Sequence, residues 1–264
     1  MSDFSWILAD GESLEDALED LAEDVANPER VKRRHEAIRE QAHVFTAEES
    51  VRITEALCAW IDEEGARDRV GGFSSPGKMP CHAISLPIEF CNVGSKLAKI
   101  PGTICSHCYA GGGFYNMPVV KKALRRRLDA LYAPGWVDGM IRGINGAEHF
   151  RWHDAGDVQD MRHLKNIVEV CERTPTTRHW LPTHETGLIA KYLRDGGTFP
   201  DNLLVRMSAV MVDGPAPTFP HTSTVHDKGE PIGQACPAYN QGGQCLDCRA
   251  CWDEDVANVS YPLH

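Results

Sequence analysis

The sequence predicts an α/β protein on a parallel sheet: a (β/α) barrel, TIM-like and incomplete, with an N-terminal helical extension and a C-terminal cysteine-rich segment. Three observations lead there. From residue 149 onward, strand-like segments alternate with amphipathic helical segments, the pattern of βα units. The first 70 residues carry only helical and acidic patterning. The stretch CPAYNQGGQCLDCRACW, 236 to 252, follows the last segment that reads clearly as a strand and holds four of the ten cysteines.

Residues 1–70 are read as one region and 71–264 as another. Ser13 caps SLEDALEDLAEDVA, where Leu14, Leu18, Leu21 and Val25 recur at helical spacing, and Pro28 after Asn27 opens a second helix. Thr46 and Glu49 form a capping box for a third helix, with Val51, Ile53, Ala56, Leu57 and Trp60 on one face up to Gly65. Cys58 belongs to that face as a small apolar residue. From 71 to 113 the chain turns rich in Gly, Pro and Ser and loses periodicity, too long for an idle connection. Helices are expected over 118–131 and 134–144. Then come a strand at 149–154, a helix at 159–173, a strand at 178–183, a helix at 186–196 and a strand at 202–212. Cys171 falls on the apolar side of its helix.

The cysteines carry the most specific chemistry. Cys245, Cys248 and Cys251 sit at three-residue intervals, so a tight loop turns all three sulfurs onto one object of cluster size, with Cys236 as a fourth ligand. This is the run of ferredoxin-type sites. Zinc, the alternative metal, more often takes two separated CxxC pairs. Cys105 and Cys108 form a second CxxC, with Cys91 fourteen residues earlier, and three thiolates would leave one iron of a cluster open to a small ligand. The expected cofactor is therefore a [4Fe–4S] cluster, one or two per chain. Cys81 would complete two sets of four.

In a parallel βα array, ligands gather where the carboxyl ends of the strands converge. There the sequence places His153, Asp154 and Asp157 after the first strand of the series, Thr183 and Glu185 after the next, and Arg206 and Ser208 in the third. His153, Asp154, Asp157 and Glu185 are read as catalytic, His153 moving a proton and Asp154 or Glu185 orienting a substrate. Thr183, Arg206 and Ser208 are read as cofactor-binding. Capping explains part of this pattern, Asp157 and Thr183 being well placed to start helices. Arg206, in an apolar strand, requires an anionic partner if it points inward.

A formal net charge of −11 argues against broad binding to nucleic acid. Lys121, Lys122, Arg125, Arg126 and Arg127 are the one dense basic patch, with the spacing of a solvated helix face. No apolar run suggests a membrane span or secretory signal, so the expectation is a cytoplasmic protein, in the host cell if phage-encoded, whose thiols bind metal rather than pair.

The ordered motifs KMPC, VGSKL, ICSHCYA, FRWHDAGD, RHWLPTHE, VRMSAVMVDG and the C-terminal cysteine run resemble the bacteriophage gene product 88 family over about residues 74–264, leaving 1–70 outside. The CxxCYA element is also similar to that of a second phage group of radical-SAM-like character. That likeness implies a four-iron cluster on three cysteines, a partial (β/α) barrel and S-adenosylmethionine as cofactor. The usual CxxxCxxC spacing is absent, since the nearest upstream cysteine is Cys91. The expected function is an iron–sulfur redox enzyme acting on a small molecule or with a redox partner. The alternative is a non-catalytic metalloprotein whose iron–sulfur or zinc site supports protein or nucleic-acid interaction.

Overall fold

The computed structural model describes residues 69–263, together with Gly65. These belong to the compact unit Glu63–His264. The three expected N-terminal helices and Cys58 lie outside the described residues.

Seven strands form one sheet in the order β1-β2-β3-β4-β5-β7-β6, every pairing parallel. They are β1 Ala83–Ile84, β2 His149–Trp152, β3 Arg178–Thr183, β4 Leu203–Ser208, β5 Thr222–His226, β6 Gln234–Ala235 and β7 Asn258–Pro262. The α-helices are α1 Gly94–Leu97, α2 Pro118–Ala130, α3 Trp136–Ile144, α4 Met161–Glu172 and α5 Thr186–Arg194. Helical spacing located α2 to α5 to within two residues at either end. Pro118 occupies the first turn of α2, where no N–H is needed, and Asp160 accepts the His163 N–H at 2.8 Å to cap α4.

The parallel α/β arrangement is as the sequence predicts, but the sheet is open. β1 has only β2 as neighbour and β6 only β7, so the strands do not close into a barrel. Both edge strands are two residues long, and the outer side of β1 is met only by a single antiparallel bridge between Ala83 and Ser74. β4 stops at Ser208 rather than at 212, because the Ala209 and Asp213 N–H groups turn to Ser223 and Val225 carbonyls and Asp213 takes φ +56°. The segment 71–113 holds β1, α1 and short 3-10 turns, one of which carries Cys105.

One sheet face is apolar. Phe150 and Trp152 of β2, Leu181 of β3 and Val205 and Met207 of β4 pack with Trp136, Met140 and Ile144 of α3 and Leu164, Ile167 and Cys171 of α4. Cys171 is core, as expected. The opposite face carries His149, Arg151, Trp180 and Arg206, and the C-terminal cysteine segment covers it. Trp252 stands edge-on to Trp180 and His149, with ring centroids 5.3 and 5.1 Å away, and donates its indole N–H to the Phe150 carbonyl at 3.0 Å.

His153 and His179 are buried, and desolvation pushes their imidazoles down to about 4 and about 3. A depressed histidine pKa gives stability that is complete above the unfolded value of 6.5 and lost as pH falls through the folded value. In urea unfolding each of these histidines should therefore take away about 3 kcal/mol of stability between pH 6.5 and pH 4, opposed in that window by the buried Asp157 carboxyl, which is pushed up to about 7. His179→Gln should flatten that slope.

Candidate functional site: two groups of cysteines

The first group forms beyond the carboxyl ends of β2 and β3. Cys91 and Cys105, distant in sequence, meet at Gly94, the first residue of α1. A Cβ there would lie 3.1 Å from the Cys91 Cβ and 3.5 Å from the Cys105 Sγ. Glycine thus leaves room beside both sulfurs. Burial, with Asp157, Cys108 and Cys105 close by, pushes the Cys91 thiol well up, and burial with Cys108 raises Cys105 to about 12. In the metal-free chain these are thiols; a bound metal would have to displace their protons.

The carboxylates at the strand ends hold this group in place. Glu185 accepts the Val93 N–H at 2.9 Å, tying the Cys91 turn to the end of β3, and burial raises its pKa. Asp157 accepts from the Thr183 hydroxyl at 2.7 Å, the His184 N–H at 2.8 Å and the Val158 N–H at 2.7 Å, joining the loops after β2 and β3. Its burial pushes the carboxyl up to about 7. Thr183 also accepts the Glu185 N–H at 3.0 Å. Asp154 is ringed by hydroxyls, accepting from Ser74 and Tyr115 at 3.0 Å each and from Ser85, while Tyr109 donates to its carbonyl.

Gly156 makes this loop feasible. At φ +84°, a Cβ would stand 2.5 Å from the Leu86 Cβ and 2.8 Å from its carbonyl oxygen. Gly156→Ala should lower stability by roughly 2–4 kcal/mol, read as a drop in thermal midpoint.

His153 stands apart from the other strand-end residues. Its ring turns towards α4, 5.1 Å from the His163 ring, with φ +55° and neither nitrogen hydrogen-bonded. Ser208 accepts a hydroxyl proton from Ser223 at 3.2 Å between β4 and β5. Arg206 is fully buried, and the anionic partner expected for it is replaced by carbonyl oxygens. Nε donates to Cys251 at 3.0 Å, Nη1 to Val256 at 2.8 Å, and Nη2 to Ala250 and Asp253 at 2.8 Å each. It anchors the cysteine segment to the sheet.

The second group is that segment. Cys236, Cys245, Cys248 and Cys251 line one small enclosed cavity with Trp252 and Val259. Cys81 lies beside it: the Cys245 N–H donates to Lys78 at 2.8 Å, and Cys81 and Cys245 are near enough to raise the Cys81 thiol further after burial, to about 11. Cys251 shares a hydrogen bond with the Tyr261 hydroxyl at 3.2 Å. Among the described residues, no three or more His, Cys, Asp or Glu side chains are arranged as they stand to hold a single metal ion.

The basic patch is largely engaged. Arg126 and Arg127 donate to the carbonyls of Gly71, Gly72 and Phe73, and Arg125 pairs with Asp129 at 2.9 Å. Sequence reasoning missed Arg151, Tyr109, Tyr115 and Tyr261. For Arg151 a signal existed: within HFRW it alternates out of phase with Phe150 and Trp152, as Arg206 does in β4.

Fold and site together define an α/β protein with an open parallel sheet, one cysteine group at its strand ends and another packed on its polar face. The chain belongs to the gene product 88 family, which matches residues 41–254. The match begins well before residue 74, so part of the acidic N-terminal region falls inside the family, and it ends before β7. No curated protein and no solved structure matches the chain. No helix among the described residues is long and apolar enough to cross a membrane.

Proposed function

We propose that this chain is an iron–sulfur redox protein of a reducing compartment, with a substrate-facing cluster at the strand ends and a second cysteine centre on the sheet. The observation that carries this reading is the meeting of Cys91 and Cys105 at Gly94, with Cys108 beside them and Glu185 fixing the turn. Cys91, Cys105 and Cys108 would hold the first cluster, which when bound supplies electron transfer to a ligand at its uncoordinated iron. The long interval before Cys105 is no obstacle, because the α1 turn returns Cys91 to it. The consecutive order β1 to β5 is what an incomplete (β/α) barrel would have, and its strand ends are where such a fold binds ligands.

The chain's own residues position and exclude. Asp157 and Thr183 lock the loops around the cysteines, while Asp154, with Tyr109 and Tyr115, offers a polar wall to a small substrate. Anaerobic purification with iron, sulfide and zinc analysis, followed by EPR after dithionite reduction, tests the proposal. Iron and sulfide with a reducible signal are expected, and a change in that signal on adding S-adenosylmethionine would show an open iron site. A colourless, zinc-only protein would overturn it.

The second reading is a non-catalytic metalloprotein. Its support is the anchoring of the C-terminal segment by Arg206 and Trp252, which suits a structural staple serving a protein or nucleic-acid surface.

A further inference from the structure

A cleft of about 300 Å³ opens at the amino ends of β1 and β2, the opposite end of the sheet from Cys91 and Cys105. Its walls are the 75–82 segment leading into β1, the 147–149 turn leading into β2, and the C-terminal cysteine loop at Arg249. The amino ends of parallel strands usually serve packing. Here the connections leave them open. Met79, Pro80 and Ala147 make one side of the cleft apolar, and His82, His149 and Arg249 line the rest. Each of those three is held in place. His149 is buried, its ring edge-on to Trp252 with centroids 5.1 Å apart. The His82 ring stacks on Phe73 at 6.3 Å, and its Nδ1 is 2.9 Å from the Ser75 hydroxyl. Arg249 donates from Nη1 to the Leu246 and Cys248 carbonyls at 2.5 and 3.0 Å, which fixes the guanidinium and leaves Nε and Nη2 for a ligand. Among the described residues, no carboxylate lies within ion-pair distance of Arg249. Glu148, the one carboxylate lining the cleft, is exposed, 3.7 Å from the His149 Nδ1.

We propose that this cleft binds a small molecule carrying an oxyanion, a carboxylate or a phosphate monoester, on an apolar stem. Arg249 takes the oxyanion with its fork, a planar donor set that matches carboxylate and phosphate oxygens. The two imidazoles add N–H donors, and the stem lies on Met79, Pro80 and Ala147, the division of a mostly apolar pocket with a few convergent polar groups. Glu148 repels the same anion from the rim, so the site discriminates by charge. The inference is independent of what the cysteine groups hold, because the binding makes and breaks no covalent bond and none of the side chains it uses is a cysteine.

Titration calorimetry of the full chain at low, matched ionic strength tests this, with phenyl phosphate, benzoate and inorganic phosphate as probes. Phenyl phosphate should bind about tenfold more tightly than inorganic phosphate, because it adds the stem. Whichever of phenyl phosphate and benzoate binds more tightly identifies the oxyanion. Arg249→Gln should weaken that probe by about tenfold or more, and Glu148→Gln should strengthen it by about threefold. Opposite signs in the two variants are not what a merely structural role produces. Because Arg249 also secures its own loop, His82→Ala is the variant to read if Arg249→Gln does not fold, and it should weaken binding by about threefold. Inorganic phosphate binding as tightly as phenyl phosphate overturns the proposal. So does the absence of binding by both aromatic probes, or binding that the folded variants leave unchanged.

Discussion

Arg206→Leu should destabilise the protein by about 4 kcal/mol or more in urea unfolding, the largest effect expected of a single residue on the sheet. The side chain is wholly buried and donates to at least four carbonyls of 250–256. Leucine fills similar space but leaves those oxygens without donors, and each orphaned buried acceptor costs ~1–3 kcal/mol unless the segment moves to water. If it moves, protease should cut between Ala250 and Val256 in the variant and not in the parent chain. Lysine at 206 should recover only part of the loss, because one ammonium cannot span carbonyls that a planar fork reaches together. An Arg206→Leu protein as stable as the parent would mean that these hydrogen bonds do not hold the segment down.

The second large effect concerns the sulfurs. Cys105→Ser and Cys248→Ser should each remove most of the iron from one centre, about half of the total apiece if both centres hold clusters of one size. Cys171→Ser should leave the iron content unchanged, since Cys171 is packed in the apolar layer with Ile167 and Leu164. Cys58→Ser, on the expected N-terminal helix face, should do likewise. Equal iron in all four variants would reject the ligand assignment. Because metal binding and folding are linked, Cys248→Ser should also lower the thermal midpoint if the C-terminal loop holds a metal.

The helix-bearing half of the fold was legible because its elements face one apolar layer. Phe150 and Trp152, or Val205 and Met207, alternate with polar residues, and Leu164, Ile167, Val168 and Cys171 recur at helical spacing. β5 and β7 were not legible because their burial is polar, and β6 because it is two exposed residues. Thr222 donates to Asn258 at 2.7 Å, the Asn258 amide to Thr224 at 2.9 Å, Thr224 to Ser260 at 3.1 Å, and His226 shares a hydrogen bond with Ser260 at 2.8 Å. TSTVH and NVSYP satisfy one another across the sheet, so hydroxyls and an amide stand where hydrophobic alternation would have announced strands. The same holds for the site. Cysteine spacing pointed to both groups, but only three-dimensional proximity separates them and sets Cys91 beside Cys105. Arg206 stood out as a charge needing a partner; that its partners are backbone oxygens of a segment more than forty residues away leaves no trace in local sequence.

The strand order has a consequence for how the molecule is made. β6 finds its only neighbour in β7, and β7 slots between β5 and β6. β1 to β5 can zip together in the order in which they are made, but β6 has no strand to pair with until Asn258–Pro262 inserts between it and β5. The outer edge of the sheet is thus completed last, and a chain truncated before residue 258 should leave Gln234–Ala235 without a strand to pair with.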